Sequence, residues 1–356
     1  MITISLCIIV KDEEDVISRC LASIQEAVDE IIIVDTGSAD NTKKIASTYT
    51  DKIYDFEWED NFSKARNYSF NKATKDYILW LDADEFLDLD NKEKLICLKQ
   101  NISENIDIIS METCLCNEQN TNPEIIARRY RMVKRNNNFK WVGTIHEYME
   151  VCGNCYNSEI NIIHQKIKKV NDRNLKIYRN IIQKGETLSD RDMYYFSKEL
   201  FYNKFFDEAI ENFEFFISKN VCVEEKIDAL CKIAECYLSK GQSIEARSYL
   251  YKTFEYTEPR GEILYDIANT FEVEKKYHQA IRWYEMILDL PIEKDCNYCV
   301  NLGCCRFKPH LNLCYCYCEI ENLQKSYYHH LKCIEINPNN PCVIYNDEYF
   351  KSIIKK

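Results

Sequence analysis

The feature that most constrains this chain is a change of pattern part-way along it. Through residues 1–165, short Ile-rich runs alternate with segments of helical spacing. Ile2–Val10 is an apolar run suited to a strand buried on both faces. Glu13–Glu26 follows with Val16, Cys20, Leu21 and Ile24 on one helical face, and Glu30–Asp35 is a second buried strand. Asn41–Tyr49 reads as a short helix, Lys52–Tyr54 as a strand, Phe62–Ala73 as a helix and Asp76–Leu81 as another strand. This alternation predicts a Rossmann-like α/β domain with a mainly parallel sheet, whose ligands meet the carboxyl ends of the strands. The loops Lys11–Glu14, Asp35–Thr42 and Asp82–Glu85 fall at those ends.

From about Asp190 the spacing becomes that of paired helices. The pairs are Tyr194–Phe205 with Asp207–Ile217, Ile227–Leu238 with Ile244–Phe254, Ile263–Glu272 with His278–Leu288, and Leu311–Ile320 with Gln324–Ile334. Small residues recur in the second helices at Ala209, Ala246, Ala280 and Ser326, spaced 37, 34 and 46 residues apart, against a tetratricopeptide period of 34. Pro291 and Pro338 fall where such repeats close. The reading is an all-α solenoid of four imperfect repeats, with an insertion at Glu293–Pro309. The expected domains are 1–168 for the α/β part, 169–189 for a connecting helix and 190–356 for the repeats.

Composition narrows the function classes. A net charge of −12 argues against nucleic-acid or anionic-membrane binding, which need a basic face. No run of about 18 apolar residues is present to insert in a membrane. The N-terminus lacks a basic region and a small-residue cleavage site, so the expectation is a cytoplasmic protein whose 19 cysteines are free thiols.

The strongest local signal is WLDADEFLD, residues 80–88. An apolar strand delivers Asp82, Asp84 and Glu85 to one turn, and carboxylates so spaced can share a hard divalent cation and aim it at phosphate. A bare acidic pair is more often a solvated turn; its place at a strand end of a nucleotide-type sheet favours the site. Asp35, ending the second strand before Gly37, can accept from a base or ribose; alternatively Asp35 or Asp40 caps the next helix. Arg66, beside Asn67 in FSKARN, suits a diphosphate, although a lone Arg is more often a surface ion pair. WVGTIHE, residues 141–147, offers a general base, and His164 is either structural or a metal ligand.

Together SLCIIVKDEEDVISRCLASI, VDEIIIVDTGSADNT, DFEWEDNFSKARNYSF, KDYILWLDADEFLD and FKWVGTIHEYME closely resemble family-2 glycosyltransferases of the GT-A fold. More narrowly, the chain resembles the bacterial group with C-terminal tetratricopeptide repeats, which includes enzymes that glycosylate Cys or Ser of glycocins. The closing LKCIEINPNNPCVIYNDEYF extends the likeness over nearly the whole chain. The resemblance implies a UDP-sugar donor, Mn²⁺ (or Mg²⁺) as cofactor, and transfer of a hexose or N-acetylhexosamine with inversion. It places Val10, Lys11 and Glu13 or Glu14 around the nucleobase and ribose, with Asp35 and Gly37 beside them. Arg66 comes near the diphosphate, and Asp82, Ala83 and Asp84 form the DxD motif. Asp84 is the expected direct metal ligand, Asp82 lies nearer the ribose, and His164 completes the metal shell. Asp12 stands where relatives usually have Asn.

An inverting transfer needs a carboxylate base, for which Glu147 is the candidate and Glu85 the runner-up. The repeats then choose a polypeptide acceptor (Ser, Thr or Cys) or support a homodimer. Alternatives are a surface-polysaccharide or lipid-linked acceptor, a tetratricopeptide adaptor without catalysis, and a nucleotidyltransferase. The last would want a Gly-rich basic loop where VKDEED stands. Cys296, Cys299, Cys304 and Cys305 form a CxxC…CC cluster able to bind zinc.

Overall fold

A computed structural model describes residues 1–117, 120–165, 172–291 and 300–354. The chain divides into two compact units, Met1–Asn171 and Asp172–Lys356.

The first unit runs β1 (Ile4–Val10), α1 (Ile17–Ile24), β2 (Glu30–Asp35), α2 (Thr42–Ala46), β3 (Ile53–Asp55), α3 (Phe62–Lys72), β4 (Tyr77–Trp80), β5 (Glu85–Phe86) and α4 (Leu89–Asn101). It continues with β6 (Ile108–Asn117), β7 (Asn120–Lys134), β8 (Lys140–Val142), β9 (Tyr148–Glu150) and β10 (Cys155–His164). Its main sheet has the order β3-β2-β1-β4-β7-β6-β10-β5. The β3-β2-β1-β4 half is parallel, as the alternation predicts. β7 enters antiparallel to both β4 and β6, and β10 runs parallel to β6. The long β6–β7 hairpin and β10 were not legible in the sequence beyond Leu81.

Period-two alternation sorts the sheet's two faces. Ile4, Leu6, Ile8, Leu79 and Leu81 pack with Ile17, Leu21 and Ile24 of α1 and Leu95 of α4. On the other face Cys7, Ile32, Ile78 and Trp80 meet Phe70 of α3 and Trp141 and Met149 of the β8–β9 hairpin. Each fully buried Ile or Leu contributes about 1.5–3 kcal/mol, so the strand cores hold the carboxyl-end loops on a rigid base.

The second unit is helical. After α5 (Arg173–Gln183) come four pairs: α6 (Asp190–Tyr202) with α7 (Phe206–Ile217), α8 (Val223–Ser239) with α9 (Ser243–Lys252), α10 (Gly261–Val273) with α11 (Tyr277–Leu288), and, after the short α12 (Leu302–Cys305), α13 (Phe307–Glu319) with α14 (Leu323–Ile336). α15 (Pro341–Ile354) closes the unit. Ala209, Ala246, Ala280 and Ser326 are all fully buried, because a small side chain lets the paired helices approach closely. The turn inside each pair is the same. Lys204, Gly241, Lys275 and Glu321 take left-handed φ. The amide that follows each of them bonds back five residues, to the carbonyls of Leu200, Tyr237, Phe271 and Tyr317 respectively. This is a Schellman closure repeated four times. Among the described residues no helix is long and apolar enough to cross a membrane.

Of the cysteine cluster, Cys296 and Cys299 lie outside the described residues. Cys304 and Cys305 end α12, and among the described residues no three His, Cys, Asp or Glu side chains gather as a metal cage.

Candidate active site

Two loops at the carboxyl ends of β1 and β2 are latched together. Val10 lies beside Asp35 in register, and its carbonyl accepts from both the backbone N–H and the Oγ1 of Thr36 at 2.9 and 3.0 Å. Asp12 takes a left-handed φ of 54°, which Asn and Asp adopt most readily of the non-glycine residues; its Oδ1 accepts from Ala39 N–H at 2.7 Å. The Glu13 amide donates to Thr42, and Glu14 accepts from the backbone and side-chain amides of Asn41. Glu14 thus fastens one loop to the other, while Lys11 is exposed.

Asp35 is buried at the strand end. Its Oδ1 accepts from Gly37 and Ser38 N–H at 2.8 and 2.9 Å, a turn that uses Gly37 at φ 102°. Its Oδ2 is buried with no hydrogen-bond partner. An orphaned carboxylate oxygen is costly unless a ligand donates to it. Asp35 does not cap the next helix: one oxygen shapes the turn at Gly37 and Ser38, and at α2, which begins at Thr42, it is Asp40 that accepts from the Thr42 N–H at 2.9 Å.

The acidic turn follows β4. Asn61 caps α3 by accepting from Lys64 N–H, which sets Arg66 facing that turn. Arg66 donates from Nη2 to Asp82 at 2.7 Å and from Nε to Glu147 at 2.5 Å. Its guanidinium lies 4.9 Å from the ring centres of both Trp80 and Trp141, which themselves meet edge to face at 4.8 Å. Asn67 holds the hairpin in place by exchanging two 2.9 Å hydrogen bonds with the Trp141 backbone. Phe62 N–H donates to the Thr144 carbonyl, and Ser63 donates to that of Gly143. One helix therefore carries the cation and also fixes the loop that presents Glu147.

Burial works against the charge on Arg66, but Asp82 and Glu147 outweigh it and push the guanidinium's pKa up. Burial likewise opposes ionisation of Asp82, yet Arg66, with Arg131 and Arg129 behind it, holds the carboxyl well below its usual range. Asp84 lies beyond the buried Ala83 and meets His164, Oδ2 to Nε2 at 3.1 Å. The His164 ring loses basicity to burial and regains more from Asp84, so its pKa rises. Its Nδ1 is buried without a partner.

The structure therefore joins Arg66, Asp82 and Glu147, and separately Asp84 and His164. It does not gather Asp82, Asp84 and His164 into one metal cage, because Arg66 takes an oxygen of Asp82. Glu85 departs further from expectation. It is fully buried and held by both Nη atoms of Arg131, at 2.8 and 2.6 Å, and it accepts from the Asp82 N–H. A carboxylate so enclosed is an anchor rather than a base open to an acceptor. Sequence reasoning missed Trp80, Trp141, Thr113 and Arg131. The two tryptophans lie inside the quoted motifs and were legible as neighbours. Arg131 was not, because a bulge between Ile109 and Ser110 of β6 leaves it as the extra residue of β7.

With this geometry in view, residues 5–153 match the model of Glycosyl transferase family 2. The first unit is a family-2 glycosyltransferase domain. Among curated relatives, the SPbeta prophage-derived glycosyltransferase SunS of Bacillus subtilis is 26 % identical over 275 residues, covering 70 % of this chain and 62 % of its own. A TPR repeat-containing protein of Synechococcus elongatus is 50 % identical over 90 residues, 25 % of this chain and 22 % of its own. The chain thus spans less than two thirds of either relative. Among solved structures, glucosyl-3-phosphoglycerate synthase from Mycobacterium tuberculosis in complex with Mn²⁺, UDP and glucosyl-3-phosphoglycerate has a TM-score of 0.28 at 21 % identity, covering 32 % of this chain and 44 % of that one.

Proposed function

We propose that this chain transfers a hexose or N-acetylhexosamine from a UDP-sugar to a Ser, Thr or Cys side chain of a polypeptide, with inversion at the anomeric carbon. The observation that carries the reading is the Arg66 bridge, which sets the motif carboxylate Asp82 and the candidate base Glu147 on one buried guanidinium inside a family-2 domain. The nucleotide's base end is assigned to Asp35, whose orphaned Oδ2 accepts a ring N–H. Val10, Lys11, Glu13, Glu14 and Gly37 shape the walls of that end, with Glu14 acting as a latch.

Asp84 and His164, whose Oδ2 and Nε2 lie 3.1 Å apart, would hold a divalent cation. When bound there, Mn²⁺ or Mg²⁺ neutralises charge on the departing diphosphate. Asp82, committed to Arg66, orients that cation-binding turn from beneath. Arg66 supplies a second positive charge beside the leaving group.

Glu147 takes the acceptor proton as the new C–O or C–S bond forms and the bond from C1 to the diphosphate oxygen breaks, releasing UDP. Pairing with Arg66 aims Glu147 and leaves its second oxygen for the proton. The helical unit is assigned the choice of a polypeptide acceptor, as repeat solenoids bind extended segments.

The decisive experiment is Glu147→Gln. Gln keeps the acceptor oxygen for Arg66 Nε but cannot take a proton. Transfer from UDP-glucose or UDP-N-acetylglucosamine with Mn²⁺ should fall by about 10²-fold or more, with UDP affinity by calorimetry unchanged. Retained turnover would remove Glu147 from the mechanism.

A further inference from the structure

The transfer chemistry leaves one buried charged pair unused. Arg131 is among the largest fully buried side chains, and neither it nor Glu85 exposes any side-chain surface. Besides its two bonds to Glu85, Arg131 Nη2 donates to Thr113 Oγ1 at 2.7 Å, and the guanidinium lies 4.0 Å from the ring centre of Trp80. A buried ion pair contributes little net stability compared with apolar packing of the same volume. What this pair supplies is a fixed direction. Glu85 Oε2 accepts from Asp82 N–H at 2.9 Å, and Glu85 stands opposite His164 where β5 meets β10. The same two residues therefore touch the backbone of Asp82, the indole under Arg66 and the strand end that carries His164. The bulge in β7 gives the physical means, since an extra residue re-aims a side chain into the sheet's interior.

We propose that Arg131 is a positioning residue for the donor end of the site: through Glu85 it fixes the 82–85 turn, so that Asp82 faces Arg66 before any ligand arrives. The nucleotide side of this inference rests on the function proposed above; the preformed turn does not.

The test compares the full chain with its Arg131→Met/Glu85→Gln double variant, which removes both buried charges at nearly constant volume. The double variant should melt near the wild-type temperature. Amide exchange in the segment 81–86 should quicken about tenfold, the loss expected when a charge-assisted hydrogen bond no longer holds the Asp82 amide. Affinity for UDP with Mn²⁺ should weaken by a similar factor. A folded double variant with wild-type exchange in 81–86 overturns the proposal. If wild-type protein itself fails to bind UDP, the functional reading falls while the exchange measurement still decides this one. Should the double variant not fold, Thr113→Val removes a single acceptor of Arg131. Faster exchange confined to 81–86 then supports the proposal, and unchanged exchange refutes it.

Discussion

Replacing Arg66 with Ala probes the centre of the site and gives a number that can fail. The Arg66 and Glu147 side chains expose only 9 % and 10 % of their surfaces. Removing one member of so enclosed a pair leaves an uncompensated charge, at a cost of about 3–5 kcal/mol. Asp82 keeps 33 % of its side chain open, so water screens it and its share falls toward the ~0–1 kcal/mol of exposed pairs. The guanidinium also lies over two indoles, each contact contributing about 0.5–1 kcal/mol. A loss of about 4–8 kcal/mol at pH 7 follows, most of it from Glu147. Urea unfolding followed by tryptophan emission reads this directly, because Trp80 and Trp141 flank the cation.

The pH dependence sharpens the test. Asp82 is held well below its ordinary range when folded, so its contribution is present above the unfolded value of about 4 and is lost as pH falls through the folded value. The Asp82 share of the gap between wild type and Arg66→Ala, up to about 1 kcal/mol, should be present at neutral pH and be lost progressively below about pH 4. A variant within about 0.5 kcal/mol of wild type at pH 7, or a gap that stays constant into acid, would refute the reasoning.

Three further perturbations test other parts of the molecule. Asp84→Asn or His164→Ala should weaken Mn²⁺-dependent UDP binding by about 10- to 100-fold, leaving the melting temperature near wild type; equal calorimetric titrations would dismiss the pair as metal ligands. Burial, with Glu235 next, raises the Asp266 carboxyl to about 7. The folded state then keeps a proton that the unfolded state releases, so stability falls as pH rises from about 4 to about 7. Asp266→Asn should therefore stabilise the helical unit increasingly over that window and level off above it, and a pH-independent effect in melting curves would contradict this. Ala280→Leu forces a larger side chain into a fully buried helix contact. It should cost about 1–3 kcal/mol in denaturant unfolding, whereas a neutral result would mean that α10 and α11 are not closely packed there.

The sequence made the division into α/β and paired-helix parts legible because each has its own apolar period. Val10, Asp35 and Asp82 could be placed at strand ends from runs of buried Ile, Val and Leu alone. The β6–β7–β10 part was hidden. β7 pairs with β4 and β10 with β6 over long sequence distances, and the bulge at Arg131 breaks the alternation that would reveal a face.

The candidate site divides along the same line. Residue type and local spacing determined that an acidic turn follows β4, that Asp35 ends β2, and that small residues recur through the repeats. Only the tertiary structure decided what each carboxylate does. Asp82, Asp84 and Glu85 stand within four consecutive positions, yet the first meets Arg66 from a helix, the second His164 from β10, and the third Arg131 from β7. Spacing along a turn sets which charges are neighbours in the chain. Which of them stays open to solvent and ligand depends on the cations brought to them by distant segments, and no local pattern encodes that choice.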